Sequence, residues 1–170
     1  MNIGILSDTH GWLHPSVKRH FNGFDEIWHA GDIGSIEVIR DLEKICPVVR
    51  CVYGNIDNQE VRADTTENLH FKCGGLWVTI IHIANKPPKY NSETLRLIEN
   101  NHTDILVCGH SHILKIMHDH MHKLLYINPG AAGYHGFHKR ATLVQFKITD
   151  GQPTNMEVID LGPRGKLLVR

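Results

Sequence analysis

The chain has 170 residues, 41% of them hydrophobic, a size and composition that suit one domain burying roughly 70% of its unfolded surface. Eighteen Lys and Arg balance 18 Asp and Glu, which excludes a broad basic face for nucleic acid or an anionic membrane. No apolar run approaches the roughly 20 residues that span a bilayer, and the first residues show no basic flank, h-region or cleavage site.

Strands alternate with helices along the first two thirds of the chain. Residues 2–7 read as a buried strand that stops at Ser7-Asp8. Pro15 suits the first turn of a helix reaching Phe21, with Gly23 at its end. Residues 25–30 form the next strand. Ser35 caps a helix whose apolar positions Ile36, Ile39, Leu42 and Ile45 recur every three residues, closed by Pro47. Residues 48–53 return to strand, and strands over 67–73 and 76–82 flank the hairpin dipeptide Gly74-Gly75. Lys86-Pro87-Pro88-Lys89 reads as an exposed loop. A helix from Ser92 to Asn101 leads to a strand ending at Cys108, after which strands dominate: 113–119, 123–128, 140–148 and 154–161. No repeat, low-complexity segment or boundary divides residues 1–170, so a single domain is expected. Cys46, Cys51, Cys73 and Cys108 lack Cys-x-x-Cys spacing and read as buried free thiols, hence a soluble cytoplasmic protein.

Five short motifs follow apolar, β-branched runs in order: Asp8-Thr9-His10, Gly31-Asp32, Gly54-Asn55, His82, and Gly109-His110-Ser111-His112. Ligands of open α/β sheets gather outside the carboxyl ends of strands, so these loops can converge on one crevice. They supply two carboxylates, one carboxamide and four imidazoles, a set suited to Mn, Fe, Co, Ni or Zn. No cysteine joins them, which argues against a structural zinc site. Asp32 is the central candidate for a bridge, because its loop lies between the others in sequence. Two aspartates offset half the charge of two divalent ions. The remainder favours a bridging hydroxide and an anionic phosphate.

The ordered set Asp-x-His, Gly-Asp, Gly-Asn, His, Gly-His-x-His resembles the calcineurin-like metallophosphoesterases over residues 2–148. Gly54-Asn55-Ile56-Asp57 and Asn128-Pro129-Gly130 narrow the likeness to small single-domain phosphodiesterases of bacteria and archaea, a group that includes the retromer scaffold subunit. The resemblance implies an α/β fold, a four-layer α/β/β/α sandwich of two mixed sheets flanked by helices. It implies two divalent metal ions, with Mn placed first. One would take Asp8, His10, Asp32 and His112; the other Asp32, Asn55, His82 and His110. Asp32 would bridge, and Asp32, Asn55 and His110 would be catalytic. The implied reaction is hydrolysis of a small phosphate ester by a hydroxide held between the metals, most simply a phosphodiester. A non-catalytic scaffold with a vestigial site is the alternative, and a nuclease a minor one that the neutral charge disfavours. No membrane partner is expected, and a homo-oligomer stays open.

Two positions depart from the family pattern. Many relatives carry His after Gly-Asn, where it can protonate the leaving group. Ile56 cannot, which favours aryl diesters over alkyl monoesters. Where the family usually reads His-Gly-His, this chain has His82-Ile83-Ala84; Ala84 cannot bind metal, and Ile83 raises the expectation of a shifted loop.

The other histidines have plainer readings. His118, His120 and His122 would share a solvated strand face, His29 would be a satisfied core residue, and His14 beside Pro15 would start a helix while bordering the mouth with Trp12. His135 and His138 read as part of a solvated loop, with reach to substrate as the alternative. A Cys108–His110 thiol nucleophile is disfavoured by the apolar strand around Cys108. Ser111 lacks a Gly-x-Ser-x-Gly elbow, and there is no phosphate-loop motif.

Overall fold

In the computed structural model, which describes residues 1–164, the central strands are apolar on both faces, so alternate side chains enter different cores. The first sheet is built on β1 (Asn2–Leu6), β2 (Glu26–His29) and β3 (Val49–Cys51), which run parallel. The long hairpin of β11 (Arg140–Thr149) and β12 (Gln152–Pro163) lies antiparallel along β1, giving the order β12-β11-β1-β2-β3. In the second sheet β5 (Leu76–Ile81), β8 (Ile105–Val107) and β10 (Leu124–Asn128) run parallel, between antiparallel edges β4 (Asn68–Cys73) and β9 (Lys115–Asp119). Its order is β4-β5-β8-β10-β9.

The alternation sorts the residues cleanly. Ile3, Ile5, Val78, Ile80, Ile105, Val107, Leu125, Ile127, Val144 and Phe146 form the core between the sheets. Trp28 sits there edge-on to Phe71 and Phe146, at centroid distances of 5.5 and 5.8 Å. Outward from the first sheet, helices α1 (Ser16–Phe21), α2 (Ile36–Glu43) and α3 (Gln59–Asp64) bury Phe21, Ile39, Leu42 and Val61. Outward from the second, α4 (Ser92–Asn100) lays Leu95 and Ile98 on Leu106, Leu124 and Tyr126. The result is the expected sandwich of two mixed five-stranded sheets flanked by helices.

Ser35 caps α2 as its sequence predicts, accepting from the Glu37 amide at 3.2 Å. Other expectations need correction. α3 goes unseen in the sequence because Val61 is its only buried residue, too few to set a period. The expected loop at 86–89 is the turn of a short ribbon, β6 (Asn85–Lys86) with β7 (Lys89–Tyr90). The strand expected over 113–119 begins only at Lys115, and β12 runs beyond the expected 154–161. His118 and His120 are exposed and stacked, but His122 leaves their face: it lies in the following turn, where its Nδ1 meets the Asp119 carboxylate at 2.7 Å. The single domain expected over 1–170 includes residues 165–170, which lie outside the described residues.

Candidate metal centre

The six parallel strands point their carboxyl ends the same way, and every predicted site residue lies on a loop leaving one of five of them. The loops are stitched before any side chain is considered. Asp8 and His10 amides donate to the Gly31 and Asp32 carbonyls at 3.0 Å, and the Gly109 amide donates to His82 across the second sheet at 3.0 Å. From β10 the chain crosses to the first sheet, with the Ala132 and Gly133 amides donating to Ser7 and Asp8 at 2.8 and 3.1 Å.

The backbone here is unusual. Asp8, His10, Asp32, His110 and His112 have φ of 54, 49, 53, 64 and 56°, the left-handed region that L-residues with a Cβ avoid. Each turns its side chain inward, and two trios result: Asp8, His10 and His112, then Asp32, His82 and His110, each with ligand atoms within 4.8 Å of one another. Asp32 reaches both, with Oδ2 3.9 Å from His10 Nε2 and Oδ1 3.1 Å from His82 Nε2. Asn55 Oδ1 comes within 3.2 Å of the same His82 nitrogen. Thus all seven candidates meet in one place, and Ile83 does not turn His82 away.

Hydrogen bonds decide which imidazole nitrogens face the centre. The Ala30 carbonyl can only accept, so His82 Nδ1, 2.7 Å away, carries a proton. With Nδ1 so occupied, a neutral His82 presents its Nε2 lone pair to the Asp32 and Asn55 oxygens, where a cation would accept it. On the other side His138 donates from Nε2 to the Gly133 carbonyl (3.0 Å), leaving its Nδ1 to accept from His112 Nδ1 at 3.2 Å. His112 Nε2 then points, unprotonated, toward Asp8 Oδ1 at 3.2 Å and His10 Nε2 at 3.4 Å. Two clusters of converging lone pairs repel unless positive charge stands between them. Carboxylate oxygens, an amide oxygen and neutral imidazoles are the donors that borderline divalent cations take, so the residues fit the metals that the resemblance implies.

The ionisation tendencies show that, with no metal between them, His82 takes a proton that pairs it with Asp32, in the place a cation would occupy. Burial pushes His10 below the usual imidazole range despite Asp32 and Asp8 nearby, which keeps it neutral. Burial would raise the Asp32 carboxyl, but its hydrogen bond with His82 and the His82 charge hold it below the usual carboxylate range. For His82 burial works downward, and Asp32 and Asp8 outweigh it and raise it. This, too, marks a place that attracts positive charge.

The residues behind the centre were less legible. Asp57 is buried and accepts from the Ile33, Gly34 and Gly54 amides at 3.1, 2.6 and 2.7 Å, tying the Asp32 loop to the Asn55 loop. Asn128 donates to the Gly109 carbonyl (2.8 Å) and Ser111 Oγ (3.1 Å), which fixes the loop bearing His110 and His112. The motif glycines leave room: a Cβ on Gly31 would lie 2.5 Å from His82 Nδ1, and one on Gly54 would overlap the Asp32 carboxylate. The solvated reading of His138 is corrected by its bond to His112, whereas His135 is exposed, with its ring 6.1 Å from that of His10.

The plain readings hold elsewhere. His29 is fully buried between Thr9 Oγ1 (2.9 Å) and the Gly31 amide (3.2 Å), and burial pushes it down to about 4. His14 Nδ1 accepts from the Ser16 amide at the start of α1, and Trp12 meets Tyr134 edge-on at 5.2 Å. All four cysteines are buried and free, and burial pushes the Cys108 thiol up to about 12, unsuited to a nucleophile.

The family model for the calcineurin-like phosphoesterase superfamily domain matches residues 1–151. A probable metallophosphoesterase of Methanothermobacter thermautotrophicus is 29% identical over 170 residues, covering 95% of this chain and 94% of the relative. A phosphodiesterase of Methanocaldococcus jannaschii is 25% identical over 146 residues, 79% of this chain and 86% of the relative. Among solved structures, wild-type Vps29 of Entamoeba histolytica complexed with zinc aligns with a TM-score of 0.70 at 20% identity, covering 94% of this chain and 99% of Vps29. That likeness shows the shared fold.

Proposed function

The chain belongs to the calcineurin-like phosphoesterase superfamily, and from that premise we propose that it is a phosphodiesterase that cleaves a small phosphate ester at a two-metal centre. The observation that carries this reading is Asp32, with one carboxylate oxygen turned to each trio. In this assignment Asp8, His10, Asp32 and His112 hold one divalent ion, and Asp32, Asn55, His82 and His110 hold the other, Mn being the first candidate. Such ions supply Lewis acidity toward a phosphoryl oxygen and positive charge that the two aspartates leave uncancelled.

The chain's own groups do the rest. Hydrogen bonds through Ala30 and His138 fix the tautomers of His82 and His112, so their Nε2 atoms need no reorientation. Asn55 turns Oδ1 inward, which leaves its amide N–H groups to donate to a phosphate oxygen at the mouth. His110, exposed at the same mouth, lies beside the incoming ester. Neither Ile56 nor His138 can protonate a leaving group, since the first has no acidic proton and both nitrogens of the second are engaged, and His135 is the one imidazole of that loop left at the mouth. Good leaving groups are therefore favoured.

The test is hydrolysis of bis(p-nitrophenyl) phosphate by metal-stripped protein with Mn restored stepwise, against an alkyl phosphate monoester. Saturable activity, and preference for the aryl diester, is expected. Faster turnover of the monoester contradicts the leaving-group argument. One observation favours a second reading, a protein-binding scaffold: Ile56, Ile113, Leu114 and Phe137 are exposed on loops around the mouth. Silence with Mn, Fe, Co, Ni and Zn would transfer the weight to it.

A further inference from the structure

The phosphodiesterase reading leaves open what else the substrate carries, and two cavities on either side of the His82-Ile83 segment differ in what they can hold. The first, of about 410 Å³, opens beside His110 and Ser111. Ile83, Ala84, Ile113 and Tyr126 contribute its apolar walls, and Lys86, Lys89 and Lys115 line it with no acidic residue among them. The second, of about 300 Å³, borders Asn55 and His82 and is lined by Glu67, Glu93 and Arg62. Its one cation is already engaged, since Arg62 donates to the Asp57 and Gly54 carbonyls at 2.8 and 3.0 Å and lies over the Tyr53 ring.

What sets the three lysines apart is that they line one cavity with no carboxylate beside them. None makes an ion pair among the described residues, so all three are left to meet an anion. Lys86 and Lys89 stand directly opposite each other in the β6–β7 ribbon, a cross-strand placement of like charges that destabilises the ribbon unless an anion sits between them. The ribbon is nevertheless held in place. Asn91 Nδ2 donates to the Ile83 carbonyl (2.5 Å), Tyr126 Oη to the Asn85 carbonyl (2.9 Å), and Tyr90 Oη to Asp119 (2.8 Å). The backbone that carries Lys86 and Lys89 is thus held beside His110 at the candidate centre.

We propose that the cavity beside His110 is a subsite for a second phosphate on the substrate. The ester cleaved at the metal centre then belongs to a phosphodiester with an apolar or planar body and a further anionic arm, as in a nucleotide bearing more than one phosphate. The cavity walls take the body, and Lys86, Lys89 and Lys115 take the second phosphate. This inference rests on the phosphodiesterase reading, and its test separates the two.

The probes are p-nitrophenyl thymidine 5′-phosphate and the same ester with an added 3′-phosphate, which share a leaving group. Wild-type protein is expected to favour the 3′-phosphorylated ester about tenfold in kcat/KM, mostly through KM. The preference should shrink with added salt and fall to about onefold when Lys86→Ala, Lys89→Ala and Lys115→Ala are combined. Hydrolysis of both esters without preference overturns the subsite and leaves the phosphodiesterase reading standing. If neither ester is hydrolysed, that reading fails instead. The subsite is then judged by calorimetry with thymidine 3′,5′-bisphosphate and thymidine 5′-monophosphate, where equal affinity overturns it and a lysine-dependent preference for the bisphosphate sustains it.

Discussion

Left-handed backbone at two glycine-tipped hairpins and around the candidate centre is met with different residues. At the hairpin tips the two-residue turns require it, and the sequence supplies the residues that adopt it readily: Gly74-Gly75 at φ 55 and 94°, Asp150-Gly151 at 51 and 71°. At the strand ends around the candidate centre the same region is occupied, beside Asp8 and Asp32, by three histidines, His10, His110 and His112. A histidine there costs roughly 1–2 kcal/mol relative to a relaxed backbone. No turn chemistry calls for it. The hairpins are locally consistent, while the centre keeps local strain so that side chains can converge. Asn85, Lys123 and Asn155 share this backbone singly elsewhere, whereas around the candidate centre it gathers at five residues.

Six substitutions would sharpen or break the contrast. Asp32→Asn should have the largest effect, lowering kcat/KM for bis(p-nitrophenyl) phosphate by about 10³-fold, equivalent to about 4 kcal/mol; turnover at the wild-type rate would remove Asp32 from the centre. Gly54→Ala, whose Cβ overlaps the Asp32 carboxylate, should cost roughly 10²-fold by displacing that carboxylate. Gly151→Ala, in a hairpin where the nearest atom to the new Cβ is 4.0 Å away, should leave kcat unchanged and lower stability by about 1 kcal/mol. Steady-state kinetics with thermal unfolding of both variants measures the difference, and equal activity in the two would erase it.

His138→Ala should weaken Mn binding roughly 10–100-fold, because His112 loses the partner that fixes its tautomer. Unchanged affinity in a titration would make that contact incidental. The smallest effect is on stability. In metal-free protein His110→Gly should raise stability by about 1 kcal/mol, since glycine adopts φ 64° without strain, although activity disappears. Asp150→Gly should change little. A His110→Gly variant that melts below wild type without metal would show that the strain assigned to this backbone is not there.

What could be read from the sequence follows the same division. The convergence of the seven candidate residues is legible in the sequence because each stands just past an apolar run, so strand topology carries it to one edge of the sandwich. The supporting residues are not. Asp57 acts through amides of a loop more than 20 residues away, and His138 through an imidazole on another strand's loop, contacts that no local pattern encodes. His29 was readable because a histidine inside an apolar strand has few outcomes. The β6–β7 ribbon, two residues on each strand, is too short to show alternation, so Lys86-Pro87-Pro88-Lys89 carries no strand signal.

The most direct test of the central claim is Mn(II) binding to the metal-stripped protein, followed by electron paramagnetic resonance. A carboxylate shared by both trios predicts two ions per chain with an exchange-coupled spectrum, and loss of the coupling in Asp32→Asn. Two uncoupled ions that ignore that substitution, or a single ion per chain, would contradict a centre bridged by Asp32.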